Sequence, residues 1–418
     1  MQVRTRKSFT PLKAAAAAVA LAAASFGAHA AGAPAEIKIG TLYASTGSFA
    51  VASQGQYEGL KFWAEGVNKD GGLFVKAYGK KIPVKIVAYD DQSSTSTATT
   101  LYNQLITQDK VDVLVADFGS VLTSVAVPLA AEHHMLLIDP TGSGANFFTK
   151  KTDYLADVSI PSSTVWPIPL ANFVLKQGIK RVAIVYDAND FDASQAETLK
   201  AVLAKGGVTP VYYHAVPTTE SNYTILLHTI KAANPQAVLE FGYAPNDIAF
   251  LRGLHQSGLH FDMTFTIFPG QLLALMKKNV GVDGLAYTYT YPTPPLVKYE
   301  KVNYGMNTAD FVKAFQGAEH KAPTFLDSAG YNTGLVMQYM FEKSPKFTQQ
   351  DFHGALLNDM SGKVTTLLGP FQINANGAQL GQPFPVAQMV PQGKDLKFVV
   401  VYPQEHATGK PVYPAPKR

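Results

Sequence analysis

Residues 111–148 read VDVLVADFGSVLTSVAVPLAAEHHMLLIDPTGSGANFF. The runs VDVLVA (111–116) and MLLID (135–139) are of strand length and rich in Val, Leu and Ile, and a helical pattern lies between them. Each run ends in a turn of small residues, FGSVLTS (118–124) and DPTGSGAN (139–146). A strand, a helix and a second strand in this order predict a parallel pair with a crossover helix. The same rhythm extends both ways. IKIGTLYA (37–44) and VKIVAY (84–89) precede it, separated by a helical window with Leu60, Trp63, Ala64 and Val67 on one face and a glycine stop at NKDGG. After Pro161 a second series follows: RVAIVY (181–186), VTPVYYHA (208–215), AVLEFG (237–242) and MTFTIF (263–268). Two series of βα units predict two α/β lobes, each a Rossmann-like parallel sheet covered by helices. Beyond Pro292 the chain turns helical (TADFVKAFQ, LDSAGYNTGLVMQYMFEK). It then runs through VTTLLGPFQI to a last strand, KFVVVY, and a tail at 403–418 whose four prolines predict loose order.

Composition sets the compartment. Residues 1–30 combine a basic start (Arg4, Arg6, Lys7, Lys13), an apolar run from Ala14 to Ala24 and the small-residue end Ala28-His29-Ala30, the layout of a secretory signal peptide cleaved near Ala30. The apolar run is too short to span a bilayer. Removing the four leader cations from 35 basic residues leaves 31 against 31 acidic ones, so the exported chain is formally neutral. Neutrality gives no electrostatic footprint for nucleic acid or an anionic membrane. With no cysteine, disulfides, thiolate metal sites and a cysteine nucleophile are excluded together. His133 and His134 are adjacent, so on a helix they diverge and make a poor metal pair, and Asp90-Asp91 at a strand end are expected to cap a helix. No cofactor, metal or enzymatic machinery is expected, because no nucleophile, base or metal pattern is present.

In parallel α/β sheets ligands bind beyond the carboxyl ends of the strands, where helix N-termini offer unpaired N–H groups. The two turns at 118–124 and 139–146 stand at such ends. Ser120, Thr123, Thr141 and Ser143 supply hydroxyls, and Gly142 lets a ligand approach the backbone. Together they predict an anion-accepting rim suited to a carboxylate. Ser, Thr and Gly also favour turns and helix caps on their own account.

The ordered set IKIGTLYASTGSFAVASQGQYEGLKFWAEGVNKDGGL, IVAYDDQSS, the S-x-x-T-S-x-A-x-P run ending at Pro128, LIDPTGS, RVAIVYDANDF and GYAPNDIAFLRGL resembles the leucine/isoleucine/valine-binding proteins, from about Ile37 to Tyr402. Those are exported solute receptors of ABC importers with the type I periplasmic binding fold. The resemblance implies an N-terminal lobe of 36–159 plus 290–368 and a C-terminal lobe of 160–289 plus 369–402. Three crossovers are placed near 158–161, 287–292 and 366–370. It implies a monomer that closes on a small ligand and docks on an ABC permease. It places the carboxylate grip on Thr123, Thr141 and Ser143. It also places the amine-binding tyrosine, tyrosine and glutamate of the amino-acid binders on Phe191, Tyr243 and Gly270. The family's small disulfide falls on Ser93 and Leu122. Two of the three amine partners are thus replaced, which points to a carboxylic acid without an α-amine, aromatic or aliphatic, with Trp166 and Phe268 near the cleft or merely in its packing. The alternatives are an amino acid or amide ligand, with Asp190, Asp192 or Glu240 replacing the lost carboxylate, or a sensor component in place of an importer.

Overall fold

The computed structural model describes residues 32–417, so the leader at 1–30 lies outside the described residues. Among the described residues no helix is long and apolar enough to cross a membrane. The first lobe is laid down as β1 (Ile37–Tyr43), α1 (Ala50–Lys69), the hairpin β2 (Leu73–Val75) and β3 (Lys80–Ile82), then β4 (Val84–Asp90), α2 (Thr95–Thr107), β5 (Val113–Val115), α3 (Gly119–Glu132), β6 (Leu137–Asp139) and β7 (Leu155–Asp157). Its five-stranded sheet runs β4-β1-β5-β6-β7 with every pairing parallel. The expected amphipathic helix is α1: Leu60, Trp63 and Ala64 are buried, and the chain leaves it through Gly71 and Gly72, both in the left-handed region at φ of 90° and 103°. A side chain there would be strained, which is why glycine closes this helix.

The second lobe repeats the plan with α4 (Pro167–Lys176), β8 (Val182–Asp187), α5 (Asp190–Lys205), β9 (Tyr212–Val216), α6 (Thr224–Ala232), β10 (Ala237–Phe241), α7 (Ala244–Ser257), β11 (Met263–Phe265), α8 (Leu273–Val280), α9 (Val282–Leu285) and β12 (Tyr289–Thr290). Strands β9-β8-β10-β11-β12 stand in the same relative order as in the first sheet. Both sheets therefore reverse their winding beside their first strand: between β1 and β5 in one, between β8 and β10 in the other. Such switch points open a crevice at the carboxyl edge.

The rest of the chain completes both lobes. Helices α10 (Thr308–Glu319), α11 (Phe325–Lys343) and α12 (Gln349–Gly354) and the short pair β13 (Thr365–Thr366) and β14 (Gly369–Pro370) come first. The strands β15 (Val386–Gln392) and β16 (Asp395–Tyr402) then extend the second sheet, β15 antiparallel to β12 and β16 antiparallel to β15. The parallel reading holds for the βα series from which it was drawn, and these last two strands, joined by a tight turn rather than a crossover helix, add antiparallel pairing at the sheet's edge. The final passage between lobes also comes later than the expected 366–370. Asp157 of the first sheet donates its N–H to Gly377, so the segment through 377 still lies on the first lobe's side. The tail is not loose either. Gln388 of β15 holds Val412 by two amide bonds of 2.8 and 3.0 Å, and Ala415 donates to the carbonyl of Asp262. Proline prevents a regular strand here, but side-chain amides supply the partners that a ladder would have supplied.

Helix α11 locks onto α1 at glycine. A Cβ at Gly330 would sit 1.9 Å from the carbonyl oxygen of Gln56, and one at Gly59 would sit 2.0 Å from that of Asp327. Thr324 and Asp327 cap α11 reciprocally, each side chain bonding the other's backbone N–H. The close approach places Gln56 of α1 beneath the carboxyl edge of the sheet, where its amide meets Ala116 and Thr141. Replacing either Gly59 or Gly330 by alanine should force the helices apart and cost about 1–3 kcal/mol. Urea unfolding of both variants checks this, and an unchanged midpoint would show that the backbones part at no cost.

Candidate functional site

The two switch points face each other. On the first lobe, α3 begins at Gly119 without a side-chain cap, so its opening N–H groups look for partners elsewhere. Gly119 has φ of 76° and donates to the Thr141 hydroxyl at 3.0 Å, and that hydroxyl donates to Gln56 Oε1 at 2.7 Å. Ser120 donates its N–H across the cleft to the Tyr243 hydroxyl at 3.1 Å, while its own Oγ accepts from Gly144 N–H at 2.9 Å. The opening turn of α3 therefore points the Ser120 N–H and the positive end of its dipole at the facing lobe.

The facing wall is aromatic. Tyr243, just before α7, packs 5.4 Å from Phe191 and 6.0 Å from Phe268, and meets the first lobe's Phe49 and Phe118 at 5.1 and 6.1 Å between ring centres. Trp166 stands edge-on to Phe191 at 5.1 Å and donates its indole N–H to the carbonyl of Pro161. Between these groups lies an inner cavity of about 10 Å³, reached by Gly119, Thr141, Phe191, Tyr243, Phe268 and Gln271. That is room for about one water. The lobes are closed onto each other around it, with Asn146 N–H bonded to Asp190 Oδ2 at 2.9 Å and Ser163 N–H bonded to the carbonyl of Ser143 at 2.9 Å.

The expected residues divide into those that reach this cavity and those behind its wall. Thr141, Phe191 and Tyr243 line it, as do Trp166 and Phe268. Ser120 contributes its N–H rather than its hydroxyl. Thr123 is fully buried and gives its hydroxyl to the carbonyl of Asp117 at 3.3 Å, so it braces the turn from within. Gly142 is pressed against Thr123 and Asp139, donating its N–H to Asp139 Oδ1 at 2.6 Å. Ser143 is fully buried, and its hydroxyl lacks a partner.

Gly270 does not reach the cavity. A Cβ there would sit 2.0 Å from the carbonyl oxygen of Tyr291, and its N–H goes to Thr290. The next residue, Gln271, takes the place expected of it. It is 5 % exposed, lines the cavity, and its Nε2 has no partner. The turn through Phe268–Gly270, past the end of β11, decides which side chain faces in. The acids proposed as substitutes are placed otherwise. Asp190 is bonded to Asn146 across the cleft, Asp192 to the side chain of Asn189 at 2.7 Å, and Glu240 is buried in the sheet. None of the three lines the cavity. Asp90 and Asp91 hold the turn at Gln92 and Ser93, and Ser94 caps α2.

The profile of the periplasmic binding protein family matches residues 36–394, and the chain belongs to that family. Among curated relatives it is 28% identical over 229 residues to Leu/Ile/Val-binding protein homolog 3 of Brucella melitensis, and 22% identical over 224 residues to the Leu/Ile/Val-binding protein of Escherichia coli K12. Each match covers 54% of this chain and 59% of the relative. A leucine-binding protein from Thermotoga maritima superposes with a TM-score of 0.74 at 17% identity, over 88% of this chain and 99% of that one. A solute-binding protein from R. palustris in complex with 4-hydroxybenzoate superposes with a TM-score of 0.72 at 18% identity, over 88% and 96%. The architecture is the type I periplasmic binding fold.

Behind the cavity each sheet carries a group of buried acids with no basic partner. In the second lobe Asp187, Asp192, Glu240 and Asp247 are all fully buried. No N–H or hydroxyl donates to either oxygen of Glu240. Burial, and then its acidic neighbours Asp247, Asp187 and Asp192, hold its carboxyl well above the ordinary range. Burial likewise pushes Asp187 up to about 8 and Asp247 to about 7. In the first lobe Asp139 is pushed up to about 8 by burial, with Asp117 and Asp157 also raised well above the usual value. Each such group is protonated in the folded state where the unfolded chain has already released its proton. Its stabilising contribution is full below the ordinary carboxylate pKa of about 4 and is lost as pH rises, through about 7 for Asp247 and about 8 for Asp139 and Asp187. The melting temperature should therefore fall between pH 5 and pH 8.5. Glu240→Gln, which keeps the shape without the charge, should raise it by a few degrees at pH 8 and leave it nearly unchanged at pH 5. Scanning calorimetry across that range decides; a wild-type profile rising toward alkaline pH would contradict the assignment.

Proposed function

We propose that this chain is an exported solute receptor of an ABC importer, a monomer that closes its two lobes on a small monocarboxylate lacking an α-amine and presents the closed form to a permease. The observation that carries the ligand class is the lining of the cleft. The N–H groups at the head of α3 meet a wall of aromatic rings, and no charged side chain lines the cavity. Uncharged donors at a helix N-terminus accept a carboxylate, whereas a buried ammonium without an anionic partner is heavily penalised. The replacement of the expected glutamate by Gln271 supports the same reading, because an amide donates to a hydroxyl or carbonyl but does not neutralise a cation. Solved relatives named for leucine and for 4-hydroxybenzoate show that the fold carries both ligand classes.

Closure follows a population shift: a ligand that touches both lobes binds the closed form better and stabilises it by that difference. Isothermal titration of the exported chain with benzoate, 4-hydroxybenzoate, short aliphatic acids and leucine tests the class. A carboxylic acid should bind in the micromolar range or tighter and leucine at least a hundredfold more weakly. Tight binding of leucine, with no response to any of the acids, would return the chain to the amino-acid binders. Gln271→Glu adds a negative charge facing the carboxylate and should weaken acid binding tenfold or more, while Gln271→Ala should weaken it by less.

A further inference from the structure

A second, larger cavity opens on the other side of Tyr243. It measures about 380 Å³ and is walled by Phe49, Val51 and Phe118 of the first lobe and by Ile248, Leu272 and Leu275 of the second. Its full lining contains no charged residue; Ser48 and Asn279 supply the polar side chains besides Tyr243. Phe118, Tyr243 and Phe268 line this cavity and the inner one alike, so these three rings are the partition between them. The middle ring is held by the bond from Ser120 N–H to the Tyr243 hydroxyl and by contact with Gly119, where a Cβ would stand 3.0 Å from the Tyr243 hydroxyl oxygen.

The inner cavity, at about 10 Å³, does not hold even a small acid while that ring stays in place. The outer one falls within the range of roughly 300–1,000 Å³ found for small-molecule sites. The tyrosine oxygen occupies the position at the head of α3 where an acid's oxygen would accept the Ser120 N–H. Beyond it the buried Gln271 Nε2 stands without a partner in the inner cavity.

Building on the carboxylate reading above, we propose that the outer cavity is a second subsite for the body of the ligand and that Tyr243 is the gate between the two. The ligand is then a monocarboxylic acid with an elongated, uncharged aryl or alkyl body. Its carboxylate displaces the Tyr243 hydroxyl from the Ser120 N–H, the ring swings aside and the two cavities merge. The body lies against Phe49 and Val51 on one lobe and Ile248 and Leu275 on the other, so apolar contact itself draws the lobes together. Each methylene that enters such a wall contributes about 0.8 kcal/mol, a factor of nearly four in affinity, before the cost of ordering the chain.

The test titrates the exported chain with benzoate, 3-phenylpropanoate and 5-phenylpentanoate by calorimetry, for wild type and for Ile248→Trp and Leu275→Phe, which fill the outer cavity from half-buried positions outside the inner one. Circular dichroism confirms that each variant is folded. In the wild type, affinity should rise at least tenfold from benzoate to 5-phenylpentanoate. Either filling variant should abolish that gain, so that the three acids bind with equal affinity. Tyr243→Phe should bind all three acids several-fold more tightly, because the hydroxyl that competes for the Ser120 N–H is gone. Benzoate binding with no dependence on length and no effect of the filling variants would overturn the outer subsite while leaving the carboxylate reading intact. Weaker binding in Tyr243→Phe would overturn the gate by showing that the hydroxyl holds the ligand. Failure of every acid, with binding of leucine, would overturn the subsite together with the reading on which it rests.

Discussion

The hydrogen bond from the Ser120 N–H to the Tyr243 hydroxyl spans the cleft between residues 123 positions apart, and the arrangement of the site turns on it. It exists because an uncapped helix must place its first N–H groups somewhere, and the facing lobe offers the nearest acceptor. The ring that carries the hydroxyl is gripped by Phe49, Phe118, Phe191 and Phe268, so one polar contact and four aromatic ones act on the same side chain. Phe49 and Phe118 leave the carboxyl ends of β1 and β5, and Phe191 and Tyr243 those of β8 and β10. The site is thus a product of the two switch points meeting, and the strand order common to both sheets is what brings them opposite each other.

A cleft of this kind is assembled at a cost in stability. Each lobe buries acids at the carboxyl edge of its sheet without a cation to compensate them, and protonation is the cheaper solution. The acids lie beneath the aromatic wall rather than in it, so the surface offered to a ligand stays uncharged. Burying polar groups just behind a binding surface, and keeping the surface itself apolar with a few directed donors, is the usual composition of a small-molecule site. Stability is recovered far from the cleft, where glycines let α1 and α11 pack backbone to backbone and where Trp63 lies over Gly334.

Much of this was legible in the chain. Alternating strand-length apolar runs and helical windows determine two α/β lobes, because each element must bury one face and only crossover helices join parallel strands. The small-residue turns after β5 and β6 mark the edge that borders the cleft, since donors and close backbone approach are properties of those residue types. Phe191 and Tyr243 follow from the motifs that head α5 and α7. Sequence order likewise sets which strand follows which, and the hydrophobic period sets which face of α1 is buried.

Other features belonged to the tertiary structure alone. Whether Gly270 or Gln271 faces the cavity depends on a turn whose direction is set by contact with the Tyr291 carbonyl, just past β12. The inward role of Thr123 depends on the carbonyl of Asp117, and the docking of the proline-rich tail depends on the amide of Gln388. Pairing across the cleft, between groups more than a hundred residues apart, leaves no local trace, because periodicity records that a side chain is buried and not what it is buried against. The chain by itself determines that two lobes form and that one edge carries turns of small, donor-bearing residues. Only the folded molecule decides that a tyrosine holds that edge and that an uncharged cavity waits behind it, since both depend on where two separately wound sheets come to face each other.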